Sequence, residues 1–320
     1  LMTVTTLEGA PSSAVGPRQV GDTGVVVSPI GLDGAVFGWA SGIDETVEVL
    51  DLYSHSGGNF ISTADHYAGG RSEIMIGSWL QSVPDRGSVI LATGVGRHPD
   101  AAGLSRRSIL RAVENSLARL GTDYIDFLSF DGEDASVPVE ESLETAEQLI
   151  RQGKVRFLSV SEFSVPRIEE VAEKSAEAGT KGFRASFVEY NLMRRTPYES
   201  ELQPLAVALG RGAFAKLPLA NGFLTGQFRT RDDVPQSILF EGATEHIGRR
   251  GSRVLEALDA VAKELDQTPT RVALAWVLLK PGIAATVLRA RGADQLRHSL
   301  GATDVRLARH HVALLDRASA

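Results

Sequence analysis

Apolar residues along this chain recur in two alternating rhythms from about residue 20 onward. Short runs rich in β-branched and aromatic side chains read as strands: Ser28–Leu32, Asn59–Thr63, Val89–Thr93, Tyr124–Phe130, Val155–Val160, Phe183–Val188, Gly212–Leu217 and Ala284–Leu288. Between them, apolar residues fall three and four apart, as on one face of a helix. Ile109, Val113, Leu117 and Leu120 mark one such face, and Leu143, Ala146 and Leu149–Ile150 the next. Ser105 ahead of the first and Pro138 before Val139 supply start signals. This alternation argues for parallel strands joined by helices. Eight such units in about 300 residues predict a (β/α)8 TIM barrel, whose chemistry sits at the C-terminal ends of its strands.

Val20–Val27, turning at Asp22-Thr23-Gly24, predicts a β-hairpin ahead of the barrel. No internal boundary interrupts the pattern, so residues 18–320 read as a single domain. Residues 1–17 are small, polar and proline-containing, and they lack the basic start and apolar core of a signal peptide; they read as a disordered leader.

Bulk composition narrows the function classes. A 320-residue chain with 43% hydrophobic residues can bury a large core. The net charge of −7 carries no clustered excess of base, which argues against a nucleic-acid partner. No apolar run approaches the roughly 18 residues of a membrane span. Zero cysteines remove disulfide and thiolate chemistry and fit a cytoplasmic protein. The expectation is a monomer acting on a small molecule, with neither membrane nor nucleic acid as partner.

The segment Asn59–Glu73 reads NFISTADHYAGGRSE. It resembles the aldo-keto reductase phrase N-F-I-D-T-A-D-x-Y-G-x-G-x-S-E. Four further stretches are similar to that family's framework: Arg111–Asp126, Leu149–Ser164, Glu189–Arg195 and Pro218–Phe228. The resemblance runs from about Val20 to Leu315 and implies the same barrel. It also implies carbonyl reduction by a tyrosine proton donor, a lysine that lowers the phenol pKa, an aspartate that holds the lysine and a histidine that orients the substrate.

Against that pattern the tyrosine is present as Tyr67, but Ser62 stands at the aspartate position, Gly94 at the lysine and Asp131 at the histidine. The nicotinamide-holding positions differ too. Ser161-Glu162 replaces a Ser-Asn pair, Phe187 a glutamine, Lys216 the stacking aromatic, and Asp33 a glycine at the end of the first barrel strand. Of the adenosine-phosphate motif, Arg291 and Gln295 match, Arg289 takes the place of a glycine, and His298-Ser299 replaces Glu-Asn.

These replacements predict that no cofactor is needed and that hydride transfer has given way to redox-neutral acid/base chemistry. The reaction would be that of a dehydratase, isomerase or cyclase on a carbonyl compound, in specialised metabolism. Asp131 and Glu162, on neighbouring strands, would share a proton and act as acid and base. Lys216 would stabilise an oxyanion, Tyr67 would donate a hydrogen bond, and Asp33 would complete the catalytic set. Phe37, Trp39, His66, Ser62 and Phe187 would line the substrate site. No metal site is expected, because no tight ligand spacing ties the acidic residues to His66. His310-His311 reads as surface.

Two alternatives stand beside this reading. One is an NADP-dependent carbonyl reductase with an unusual proton donor, in which Ser161, Arg289, Arg291 and Gln295 hold the cofactor. The other is a catalytically silent binding or regulatory protein.

Overall fold

A two-stranded antiparallel hairpin, β1 (Arg18–Gln19) and β2 (Val26–Val27), precedes eight strands that close a parallel barrel. The barrel strands are β3 (Ile30–Asp33), β4 (Phe60–Ala64), β5 (Ile90–Val95), β6 (Ile125–Asp131), β7 (Val155–Ser161), β8 (Phe183–Glu189), β9 (Gly212–Lys216) and β10 (Ile283–Leu288). Each pairs with the next, and β10 returns to β3 with Thr286 opposite Ile30. This is a computed structural model, and it describes residues 15–237 and 240–320. The leader expected at 1–17 lies outside the described residues as far as residue 14. Val15, within that span, donates its N–H to the Thr303 carbonyl at 3.0 Å.

The helices, in chain order, are α1 (Ile43–His55), α2 (Arg71–Leu80), α3 (Arg106–Leu120), α4 (Val139–Arg151), α5 (Val165–Glu177), α6 (Gln203–Ala208), α7 (Arg249–Glu264), α8 (Pro269–Leu278), α9 (Ala293–Leu300) and α10 (Arg309–Ser319). Both helices read from apolar spacing form where their start signals fall. Ser105 accepts the Ser108 N–H as the N-cap of α3, and Pro138 precedes α4. Ile109, Val113, Leu117 and Leu120 are all buried.

β4 and β5 are buried along their whole lengths, as parallel strands covered on both faces must be. The observed strands run slightly beyond several of the predicted ends. That small extension makes Asp33, Asp131 and Ser161 the last residues of three barrel strands, while β9 stops one residue short of its expected end, at Lys216. The opposite end is shut by the hairpin. Val20, Val25 and Val27 pack into one cluster with Phe60, Phe127, Phe187 and Phe214. Gly21, at φ +48, lies so close to β9 that a Cβ there would meet the Gly210 carbonyl oxygen at 2.6 Å.

Among the described residues no helix is long and apolar enough to cross a membrane.

Candidate active site at the barrel mouth

Strand ends bring the expected acidic and basic residues together, but a residue outside the expected set organises them. Arg97, in the loop after β5, donates from Nε to the backbone carbonyl of Asp131 at 3.2 Å and lies 3.6 Å from its Oδ2. Its other end pairs with Glu162. Glu162 reaches on to Lys216 Nζ at 3.3 Å, and Lys216 donates to Ser161 Oγ at 3.1 Å. The mouth therefore carries an alternating chain of charges, Asp131, Arg97, Glu162, Lys216.

Asp131 and Glu162, expected from sequence to share a proton, are instead each paired with the Arg97 guanidinium. Burial opposes ionisation of Glu162, but Lys216 and Arg97 outweigh it and hold the carboxyl below its ordinary value of 4.5. A carboxyl held that way is a poor general acid. Lys216, paired with Glu162 and Ser161, is likewise not a free oxyanion donor.

Glu162 is half-exposed, and its folded pKa is depressed, so its stabilising effect is complete above about pH 4.5 and fades as pH falls through the folded value. Melting curves of wild type and Glu162→Gln are accordingly expected to differ by a constant amount near neutrality and to converge in acid. A gap that stays unchanged down to about pH 3 would remove the ion pairs from the account.

Tyr67 follows β4 in a tight loop where Ala68 takes the left-handed conformation. Burial, and after it the charge of Asp33, push the phenol well above its ordinary value, with Asp131 and Glu162 adding to the effect. Only Arg289, among the groups acting strongly on it, pulls the other way. Arg289 follows β10 and donates from Nε to Asp33 Oδ2 at 2.9 Å. Asp33 is buried, and its Oδ1 accepts the Ala35 N–H at 3.1 Å. His66 stands beside Tyr67, ring centroids 4.9 Å apart, with Nδ1 3.5 Å from Asp65 and 4.0 Å from Asp131. Both carboxylate oxygens of Asp65 are buried without a hydrogen-bond partner.

The space that Ser62, Tyr67, Gly94, Asp131, Phe187 and Lys216 enclose is about 20 Å³, room for roughly one water. Beside it, across the ends of β9 and β10, runs a groove of about 630 Å³. Its walls include Pro218, Leu219, Asn221, Gly222, Phe240, Thr268, Arg289–Arg291, Gln295 and Ser299. The Arg291 guanidinium lies 5.3 Å from the Phe240 ring centroid, and its backbone N–H donates to Gln295 Oε1 at 3.1 Å. No side chain caps the N-terminus of α9, and Gln295 in its first turn lines the groove.

The backbone around both spaces is strained. Ala68, Glu162, Leu217, Ala220 and Asn221 all have positive φ without being glycine. Such conformations cost energy and collect at functional sites.

The sequence pattern of the aldo/keto reductase family matches residues 30–320. This chain belongs to that family. It is similar to a protein of Schizosaccharomyces pombe described as a putative voltage-gated potassium channel subunit beta, 30% identical over 303 residues, spanning 90% of this chain and 88% of the relative. Proteins described as probable voltage-gated potassium channel subunits beta resemble it comparably. That of Arabidopsis thaliana is 29% identical over 301 residues, and that of Oryza sativa subsp. japonica 30% over 301; both matches cover 90% of this chain and 91% of the relative.

Within the aldo/keto reductase frame, the expected residues sort clearly. Asp33, Tyr67, Asp131, Glu162, Lys216, Ser161, His66 and Ser62 converge on the mouth, and Arg291 and Gln295 on the groove. Two substrate-lining expectations need correction. Phe37 is fully buried among Leu32, Val36 and Val49, because the turn after β3 folds its ring inward. Trp39, in contrast, is 59% exposed. Phe187 borders the mouth but packs mainly on Phe60 and Phe214, with centroids at 6.5 and 4.8 Å.

Arg289 touches the groove, yet its Nε is committed to Asp33 rather than left for a phosphate. His311 is buried, not surface. Its Nδ1 accepts the Ala308 N–H, which leaves the ring proton on Nε2, 3.0 Å from Glu264. Glu264, His310 and His311 thus stand together at the start of α10.

Sequence reasoning missed Arg97, Asp65 and the Phe240–Thr268 wall. Arg97 was within reach, since it lies three residues past Gly94 at the end of a barrel strand.

Proposed function

We propose that this protein is an NADP(H)-dependent oxidoreductase of the aldo/keto reductase family, reducing a carbonyl compound with a rebuilt set of supporting residues around Tyr67. The observation that carries the reading is the groove. Its volume of about 630 Å³ falls in the range of small-molecule sites, and it joins a cation and an aromatic face. That set suits a phosphorylated nucleotide: Arg291 for phosphate, Gln295 for polar contacts and Phe240 for stacking.

Family membership favours this reading over the redox-neutral one. So does the mouth itself, where the paired carboxylates needed for acid/base work are neutralised by Arg97 and Lys216.

A bound nicotinamide dinucleotide supplies hydride, which this chain's side chains cannot. Tyr67 supplies the proton, its phenol kept protonated by burial across the working pH range. Asp131 and His66 border the place where a carbonyl oxygen would meet Tyr67. The absence of cysteine favours a cytoplasmic site of action.

Calorimetric titration with NADPH and then NADP⁺ tests the proposal. Dissociation constants of about micromolar order, roughly −8 kcal/mol, are expected for at least one of them. No heat up to millimolar cofactor would defeat the reading and return the barrel to redox-neutral catalysis or to a silent binding role.

A further inference from the structure

We propose that His66 and Tyr67 together select a carbonyl compound with a hydroxyl on the neighbouring carbon. Tyr67 donates a hydrogen bond to the carbonyl oxygen, and His66 Nε2 accepts one from the hydroxyl. This inference rests on the oxidoreductase reading and deepens it by naming the substrate class. It starts from a buried anomaly. Asp65 is fully buried, and neither of its carboxylate oxygens has a hydrogen-bond partner. His66 Nδ1 lies 3.5 Å from Asp65 Oδ1 and 4.0 Å from Asp131 Oδ2, and that nitrogen is itself buried without a hydrogen-bond partner.

A ring nitrogen facing two carboxylates is favoured as N–H over a bare lone pair, because the dipole then turns its positive end to the negative charge. Arg97, 3.6 Å from the same Asp131 oxygen, already shares that charge, so one ring proton on Nδ1 suffices. Nε2 is then an acceptor. The imidazole is 28% exposed although Nδ1 is buried, so its open edge is the one that carries Nε2. Backbone bonds on both sides hold the ring in place: the Asp65 N–H donates to the Gly94 carbonyl at 2.9 Å, and the Gly69 N–H to the His66 carbonyl at 3.0 Å. Tyr67 is the complementary group. Its ring meets His66 edge-on, centroids 4.9 Å apart, and burial keeps its phenol protonated, hence a donor. The enclosed space of about 20 Å³ is lined by Tyr67 and not by His66. It has room for about one oxygen atom, so the carbonyl oxygen enters while the rest of the substrate stays outside, beside the open edge of His66. A donor next to an acceptor matches an acceptor and a donor on adjacent carbons, whereas a plain aldehyde or ketone leaves Nε2 unused. Reduction of such a compound gives a 1,2-diol.

The test pairs turnover with a direct view of the imidazole, both at pH 8. Hydroxyacetone and methoxyacetone carry the same electron-withdrawing oxygen, but only the first has an O–H to donate. With NADPH, wild type is expected to prefer hydroxyacetone at least about tenfold in kcat/KM, the scale of one hydrogen bond at a partly exposed site. His66→Phe keeps a ring beside Tyr67 and should bring the ratio close to one. His66→Gln, whose amide oxygen still accepts, should recover part of the preference. Asp65→Leu frees the ring to change tautomer and should shrink the preference with NADPH affinity unchanged. The chain has seven histidines, so ¹⁵N-histidine spectra hold few lines, and either His66 variant assigns the ring in question. In wild type Nδ1 is expected to carry the proton and Nε2 to be bare, and hydroxyacetone, but not methoxyacetone, to shift the Nε2 resonance.

A wild-type ring protonated on Nε2, or equal kcat/KM for the two compounds, would overturn the inference. Wild type that binds neither form of the cofactor would sink the oxidoreductase reading alone, and the response of Nε2 to hydroxyacetone would still decide whether His66 reads a hydroxyl.

Discussion

Arg291→Met is expected to weaken NADPH binding about ten- to a hundredfold, because a hydrogen bond to a charged group contributes about 1.5–3 kcal/mol. Arg291 is the exposed cation on the groove wall that is not committed to a carboxylate in the structure; its guanidinium lies over Phe240, and only its backbone N–H is used by Gln295. Removing it costs the fold little, since no buried partner is stranded. The loss should therefore appear in affinity with the melting temperature unchanged. It should also shrink as salt rises, because an exposed charge is screened. Isothermal titration at two ionic strengths checks both statements. An affinity equal to wild type would place the phosphate elsewhere and weaken the case for the groove.

Arg289→Met is the opposite kind of change. Asp33 is only 6% exposed in its side chain, and deleting its partner leaves a buried carboxylate unpaired. Losses of this type reach about 3–5 kcal/mol, but Arg289 is 35% exposed, so about 2–3 kcal/mol is expected, a drop of roughly 5 °C in Tm. Asp33→Asn/Arg289→Met should lose less than half as much. Asparagine keeps an oxygen for the Ala35 N–H and carries no charge to strand. Denaturant unfolding of the three proteins measures the difference. A double variant as unstable as the single one would mean that the Asp33 cap, and not the charge pair, holds this corner of the barrel.

The fold was legible because burial leaves a strong trace in sequence. Strands covered on both faces favour small and apolar side chains, so Ile90–Val95 stands out, and Ser105 marks the start of α3 by its chemistry. The site was legible as a set of positions, since Asp33, Asp131 and Lys216 close their strands. It was not legible as a set of partners. Which charge faces which depends on rotamers and loop paths, and those carry no periodicity. Arg97 shows the difficulty: one loop arginine turns two apparent acid/base carboxylates into an ion-paired network. Phe37 shows it for apolar residues, because an aromatic just after a strand reads as a pocket wall until the backbone turns its ring into the core.

The hairpin packed beneath the barrel has a kinetic consequence. With Val20, Val25 and Val27 plugging the floor, the strand-end opening is the doorway that the described residues leave to the reacting carbon. Substrate and product must use it in turn. Under the proposed carbonyl reduction, a product that lingers would exclude the next substrate directly, so inhibition by accumulated product would need no second binding site.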